Sequence, residues 1–325
     1  MIVPARVTFL GTGTSHGVPM IACECAVCRS TDPKDNRLRT SIYVEVPDRQ
    51  RVLVDTSPDL RQQALRHRIT RVDSVIYTHS HADHILGLDE LRRFNAVQQG
   101  AVNCYATQDT WDRIRQSFPY VFDPKPRLGG GVPQVSSHLI DGPLVLGGVR
   151  IVPIPLWHGR MPVLGFRFGR FAYLTDCNRI DDAAWPLLDG VDTLVLDALR
   201  DRPHPTHFSV AEAVGVIEKI APRRAFLVHM THDLGHAATS ATLPAGEVAF
   251  YTTTVGSGSH PITLAMPSTF ALASLVVVAT AFFGFDDEDG QPARLTASGL
   301  GTTLIVVDHV YDVSPSPLSF QLTIQ

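Results

Sequence analysis

The sequence predicts a layered α/β domain, and three observations carry that expectation. Short apolar runs of strand length alternate with amphipathic helical segments from about Val7 to Tyr251. Several of these runs end on histidine or aspartate. One of them, Val75-Ile76-Tyr77, opens directly into Thr78-His79-Ser80-His81-Ala82-Asp83-His84. His79 and His81 are two apart, so in an extended segment both rings point to the same side. Asp83 and His84 follow at the turn and can aim at a second point nearby. One short loop can thus present two ligands to each of two cations, which is what a dinuclear hydrolase needs.

Bulk properties narrow the field. The 325 residues suffice for one large domain or one and a half. With 44% hydrophobic and 18% charged residues the chain reads as globular, and a net charge of -4 argues against an extensive nucleic-acid surface. The cations are overwhelmingly arginine; the only lysines are Lys34, Lys125 and Lys219. The opening Met1-Ile2-Val3-Pro4-Ala5-Arg6 has no basic region followed by an apolar stretch, so no secretory signal is expected. The cysteines are Cys23, Cys25, Cys28, Cys104 and Cys177. An odd number with three crowded together suits a metal site in a reducing compartment better than a disulfide framework, and the chain is expected to be cytoplasmic.

In chain order, Val7 to Leu10 reads as a strand ahead of the glycine-rich turn Gly11-Thr12-Gly13-Thr14. Cys23-Glu24-Cys25-Ala26-Val27-Cys28 places three thiolates where they can wrap a tetrahedral zinc, given a fourth ligand. Ser41 to Val46 and Arg51 to Asp55 read as strands and Pro58 to His67 as a helix, with His67 exposed at its end. Leu86 to Phe94 and Asp109 to Ser117 read as helices flanking a strand at Val102 to Ala106, and 119–143 as a long Pro- and Gly-rich loop. Val149 to Leu156 is a strand that leads to His158. Val163 to Phe168 and Phe171 to Leu174 form a hairpin whose second strand ends at Asp176, a carboxylate able to bridge two cations. After a strand at Asp192 to Leu196, His207 stands just ahead of a helix over Ser209 to Ile220. Ser209 and Glu212 predict a capping box there. A helix start favours an anion such as phosphate, which makes His207 a candidate acid. Arg224 to Val228 is a strand ending at His229, with His232 three residues on, and Glu247 to Tyr251 closes the domain.

His79-Ser80-His81-Ala82-Asp83-His84 resembles the H-x-H-x-D-H signature of the metallo-β-lactamase superfamily, and the resemblance runs from about Val7 to Tyr251. It implies an αββα four-layer sandwich. It also implies that His79, His81 and His158 hold one divalent metal ion, zinc or manganese, that Asp83, His84 and His229 hold a second, and that Asp176 bridges them. The C-x-C-x-x-C at Cys23, Cys25 and Cys28 resembles the PhnP-like, phosphoribosyl cyclic phosphodiesterase branch, in which such a cluster binds a structural zinc. His232 would complete that cluster. The implied activity is metal-dependent hydrolysis of a small cyclic phosphate, such as 5-phosphoribosyl 1,2-cyclic phosphate, by a metal-activated hydroxide. Asp83 would orient the attacking water and His207 would act as general acid. The alternatives are an RNA-processing nuclease of the tRNA 3′-end type, which needs a basic arm, and a metal-bound sensor without turnover. The expected partner is a small-molecule phosphodiester, and a homodimer is left open.

The hydrolase domain is drawn at 1–251, with a linker and a C-terminal extension of β character over 252–325. The linker begins at Thr252-Thr253-Thr254-Val255-Gly256-Ser257-Gly258-Ser259. The apolar run Phe270 to Phe285 is short of the ~20 residues a membrane helix needs, and a membrane anchor is not expected. Leu304 to Val307 and Phe320 to Ile324 read as strands.

Overall fold

The first strands of the chain form one sheet and the later ones another, as drawn by a computed structural model that describes residues 3–46, 48–123, 131–243, 248–250 and 320–324. In chain order the strands are β1 (Val3–Gly11), β2 (Ser41–Val46), β3 (Gln50–Val54), β4 (Ser74–Ile76), β5 (Val102–Ala106) and β6 (Val135–Leu139). They are followed by β7 (Leu144–Leu146), β8 (Val149–His158), β9 (Met161–Phe168), β10 (Phe171–Leu174) and β11 (Arg179–Ile180). The last are β12 (Thr193–Asp197), β13 (Arg224–Val228), β14 (Val248–Phe250) and β15 (Phe320–Ile324). One sheet has the order β15-β1-β2-β3-β4-β5-β6, the other β11-β8-β9-β10-β12-β13-β14 with β7 beside β8.

Each sheet changes character midway. From β3 to β6, and from β10 through β12 and β13 to β14, the strands run parallel, while the remainder pair antiparallel. Parallel neighbours need a crossover, and helices supply it. α1 (Leu60–Arg66), α2 (Ala82–Ile85), α3 (Leu91–Gln98) and α4 (Gln108–Ser117) serve the first sheet; α5 (Val210–Ile220) and α6 (His236–Thr242) serve the second. α5 carries the expected capping box between Ser209 and Glu212.

Alternation along the strands sorts side chains into layers. Val52, Val54 and Ile76 face Phe166, Phe168, Tyr173, Val195 and Phe226 between the sheets. Their neighbours Leu53 and Val75 pack outward on Leu60, Leu91 and Trp111 of the helices. Leu194, Leu196, Ala225 and Leu227 do the same beneath Ala213 and Ile217 of α5. The result is two sheets packed face to face with helices on their outer sides, the αββα sandwich that the resemblance implies.

Three features depart from expectation. His67, which caps the C-terminus of α1, is buried rather than exposed. The stretch read as a loop over 119–143 contains β6, whose Val-Ser-Ser-His-Leu sequence pairs in parallel with β5 at the sheet edge. Such a polar edge strand lacks the apolar alternation that marks a strand. The strand read at Phe320 to Ile324 is present, and as β15 it pairs antiparallel with β1, so the first sheet uses residues beyond 251. The linker, the apolar run Phe270 to Phe285 and Leu304 to Val307 lie outside the described residues. No helix among the described residues is long and apolar enough to cross a membrane. β8 also tolerates Pro153 and Pro155. β7 covers it only to Ile151 and β11 begins at Leu156, so both prolines fall where one side of the strand has no ladder to lose.

The C-terminal ends of the parallel strands converge on one edge of the sandwich, and Asp55, the Thr78–His84 loop, Asp176, Asp197 and His229 all lie there. Phe166, wholly buried between the sheets, tests the packing that holds that edge. Phe166→Ala should lose about 3–5 kcal/mol of stability by denaturant titration.

Candidate metal centre

The site is built from a buried carboxylate outward. Asp55 follows β3 with a left-handed backbone, φ 63°. Its Oδ1 accepts the Thr78 N–H at 2.8 Å, and its Oδ2 accepts the Thr78 hydroxyl at 2.8 Å and His84 Nδ1–H at 2.7 Å. Having donated to Asp55, Thr78 Oγ1 accepts from His79 Nδ1–H at 2.9 Å. Both rings are therefore turned with Nε2 inward, and neither Nε2 has a hydrogen-bond partner although both are buried. Leaving such atoms unmatched is costly unless something binds them.

Carboxylates face those nitrogens. Asp176, at the end of β10 with φ 54°, places Oδ2 at 3.7 Å from His79 Nε2, 3.3 Å from His84 Nε2 and 3.1 Å from His229 Nε2. Asp83 Oδ2 lies 3.3 Å from His84 Nε2 and 3.4 Å from His229 Nε2. Ligand atoms of Asp83, His84, Asp176 and His229 all fall within 4.8 Å of one another, as do those of His79, His81 and Asp176, and those of His158, Asp176 and His207. Asp176 is common to all three groups. The seven residues expected to hold two cations are thus brought together. His158 is the looser member: its ring centroid is 5.7 Å from that of His79 and 4.9 Å from that of His81. Its Nδ1–H donates to the Thr206 carbonyl at 2.8 Å, which leaves Nε2 free for the site. His81 is exposed and marks the open side.

The electrostatics divide the cluster. Burial pushes the pKa values of His79, His81 and His158 down, so these rings are neutral donors. Burial opposes charge on His229 too, but Asp176 and Asp83 outweigh it and lift its pKa to about 10. His84 is raised in the same way against burial, by Asp176, Asp83 and Asp55. Burial would raise the carboxyls of Asp83 and Asp176, yet His84 and His229 hold both below the usual range. The carboxylates thus favour positive charge at His84 and His229, and nitrogen and oxygen donors in this mixture suit zinc or a similar divalent ion.

His207 joins the cluster from the other side. Its ring stacks on His229 at 4.7 Å and 14° and meets His158 edge-on at 4.5 Å. Nδ1–H donates to Asp197 Oδ2 at 2.8 Å, and the same oxygen accepts the Cys177 N–H at 2.8 Å. The helix start behind it is less open to an anion than its position suggests. The amides of Ser209 and Glu212 are taken by the capping box and that of Val210 by the Arg200 carbonyl. Asp55 and Asp197 escaped the sequence reading, which took Asp55 only as the end of a strand and gave Asp197, just past one, no role. A carboxylate directly after an apolar strand, as at Asp176, was the signal available for both.

The cysteine cluster also assembles. Cys23 Sγ and Cys25 Sγ lie 3.2 and 3.3 Å from His232 Nδ1, and Cys28 completes a four-membered group within 4.8 Å. The Cys28 amide and His232 pull the Cys25 thiol down to about 6, while burial pushes that of Cys28 up to about 11. Three sulfurs and one imidazole nitrogen are the donor set of a tetrahedral zinc. Cys104 and Cys177 are buried and stand apart from this group.

The family model described as the beta-lactamase superfamily domain matches residues 50–230, and the chain belongs to that family. Among solved structures, one described as a new diphosphatase from the PhnP family is 42% identical, with a TM-score of 0.71 over 77% of this chain and 96% of that one. An octanoyltransferase of Porphyromonas gingivalis is 38% identical over 228 residues, which are 70% of this chain and 46% of that protein. Coenzyme PQQ synthesis protein B of Methylobacterium nodulans is 30% identical over 220 residues, 58% of this chain and 71% of that protein. The chain thus spans under half the length of the octanoyltransferase it matches.

Two outcomes follow from the geometry. Asp55→Asn, which turns one of the two accepting oxygens into an NH2 donor and so cannot hold Thr78 and His84 together, should weaken metal affinity about 10–100-fold in chelator competition. Because a metal must displace the protons that Asp176 and Asp83 hold on His229 and His84, apparent affinity should rise with pH through the neutral range and fall in acid, as read by calorimetric titration.

Proposed function

We propose that this chain is a phosphodiesterase acting on a small cyclic phosphate, with 5-phosphoribosyl 1,2-cyclic phosphate as the representative substrate. The observation that carries the reading is the Asp176 carboxylate shared among the histidine groups, with His207 beside them on its own carboxylate. His79, His81 and His158 would hold one divalent ion and Asp83, His84 and His229 the other, with Asp176 between them. Cys23, Cys25, Cys28 and His232 would hold a structural zinc. When bound, the two ions supply an activated water and neutralise phosphoryl charge.

The remaining steps belong to the side chains. Asp83, held against His84 and His229, would orient the attacking water by accepting a hydrogen bond from it. His207 carries its reactive Nε2 toward the cluster because Asp197 fixes Nδ1. It donates a proton to the leaving alkoxide oxygen, and the neutral ring that remains still has its Nδ1–H acceptor. Asp197 plays the part of an orienting group and takes no proton.

A second reading, hydrolysis of a diphosphate, is favoured by the 42% identity to the PhnP-family diphosphatase. The same residues serve it, since the leaving group is again an oxyanion. Turnover of 5-phosphoribosyl 1,2-cyclic phosphate and of a nucleoside diphosphate sugar by the metal-replete protein separates the two, with Asp176→Ala as blank. Rapid cyclic-phosphate hydrolysis that vanishes in the blank supports the first reading; diphosphate cleavage alone supports the second. His207→Ala should retain its metals and lose about 10²–10⁴-fold in kcat on a poor leaving group, with far less loss on a nitrophenyl ester. Full turnover of the poor leaving group would remove His207 from the mechanism.

A further inference from the structure

One turn serves both candidate metal sites. His229 stands at its start, facing Asp83 and Asp176, and His232 stands three residues on, facing Cys23 and Cys25. His229 adopts φ 62°, in the left-handed region that non-glycine residues occupy uncommonly, histidine less rarely than most. The chain thus turns sharply at the residue that faces the carboxylates.

Arg37 is placed to hold this turn. It is 1% exposed and reaches the turn across nearly two hundred residues of chain. Nη1 donates to the Thr231 carbonyl at 3.0 Å and Nη2 to the Leu234 carbonyl at 2.6 Å. Its counter-charge, Asp35, sits at 3.6 Å, and the same Asp35 Oδ1 accepts the His236 N–H at 2.8 Å. The backbone of Arg37 is anchored in turn by paired bonds with Val18 at 2.9 and 2.7 Å. Gly13 packs so closely on it that an added Cβ would lie 2.7 Å from the Arg37 carbonyl oxygen. Thr12 and Thr14 bracket Met230, the residue after His229, with bonds of 3.0 and 3.1 Å. A buried guanidinium is expensive, and burial draws its pKa down to about 10. Ordinary packing at this position needs no such group.

We propose that Arg37 is a positioning residue that fixes the His229–Leu234 turn and so couples the cysteine cluster to the dinuclear site. The inference rests on the two-site reading given above. Arg37 touches neither site. It sets the distance between their two histidines by holding the carbonyls that follow His229 and flank His232.

The test uses the full chain loaded with cobalt(II). Thiolate-to-cobalt absorption reports the cysteine cluster, and a chelator reports release of the cobalt bound elsewhere. Arg37→Met, which keeps the stem and loses the donors, should retain the thiolate band yet release the other cobalt about tenfold faster or more, as removal of an orienting group does. Arg37→Lys should recover part of the difference. Release rates equal to those of the wild type, even with a lower melting temperature, would overturn the proposal and mark Arg37 as structural only. Should Arg37→Met fail to accumulate folded, Arg37→Lys decides alone: faster release with the thiolate band intact supports the coupling, and unchanged release overturns it. A wild-type chain that takes up no cobalt outside the cysteine cluster would overturn the dinuclear reading, and this inference with it.

Discussion

The Asp55 carboxylate is the interaction on which the site depends. It is fully buried and accepts three hydrogen bonds, two from Thr78 and one from His84. Through them it fixes the backbone entry of the metal loop, the ring of His84 directly and the ring of His79 through the Thr78 hydroxyl. A carboxylate in that position would be costly without donors, and the loop would be free to turn without the carboxylate. Each therefore stabilises the other, and the two inward Nε2 atoms follow from it.

The same device recurs across the sandwich. Asp197, at the end of β12, fixes His207 and the Cys177 amide as Asp55 fixes His84 and Thr78. Asp55, Asp176 and His229 all follow parallel strands and all have positive φ, between 54° and 63°. A left-handed residue directly after a strand turns the chain sharply, so the side chain meets the open edge instead of passing over a sheet face. The strain is carried by the ladders and packed layers beneath, which is why the site lies where parallel strands end.

Much of this was legible in the sequence because metal chemistry demands few residue types at short spacing. His79, His81, Asp83 and His84 announce themselves together, and Asp176 and His229 follow apolar strands. The cysteines were legible for the same reason, and His232 became so once a fourth ligand was sought. The capping box of α5 was local and therefore visible. What stayed hidden was long-range or polar. Asp55 and Asp197 act through partners 29 and 10 residues away, and no local pattern marks such a pairing. β6 escaped because Ser136, Ser137 and His138 carry no apolar period. The place of β15 beside β1 depends on a contact between the two ends of the chain, which periodicity does not encode. His67 was misjudged because polarity was taken as exposure.

The central claim is that one carboxylate, Asp176, stands between two cations while a separate zinc holds the cysteine cluster. Anomalous diffraction from crystals of the metal-replete protein tests it most directly. The account predicts two peaks flanking Asp176 and a third among Cys23, Cys25, Cys28 and His232. A single peak beside Asp176, or none, would contradict the dinuclear site, whatever the cysteines bind.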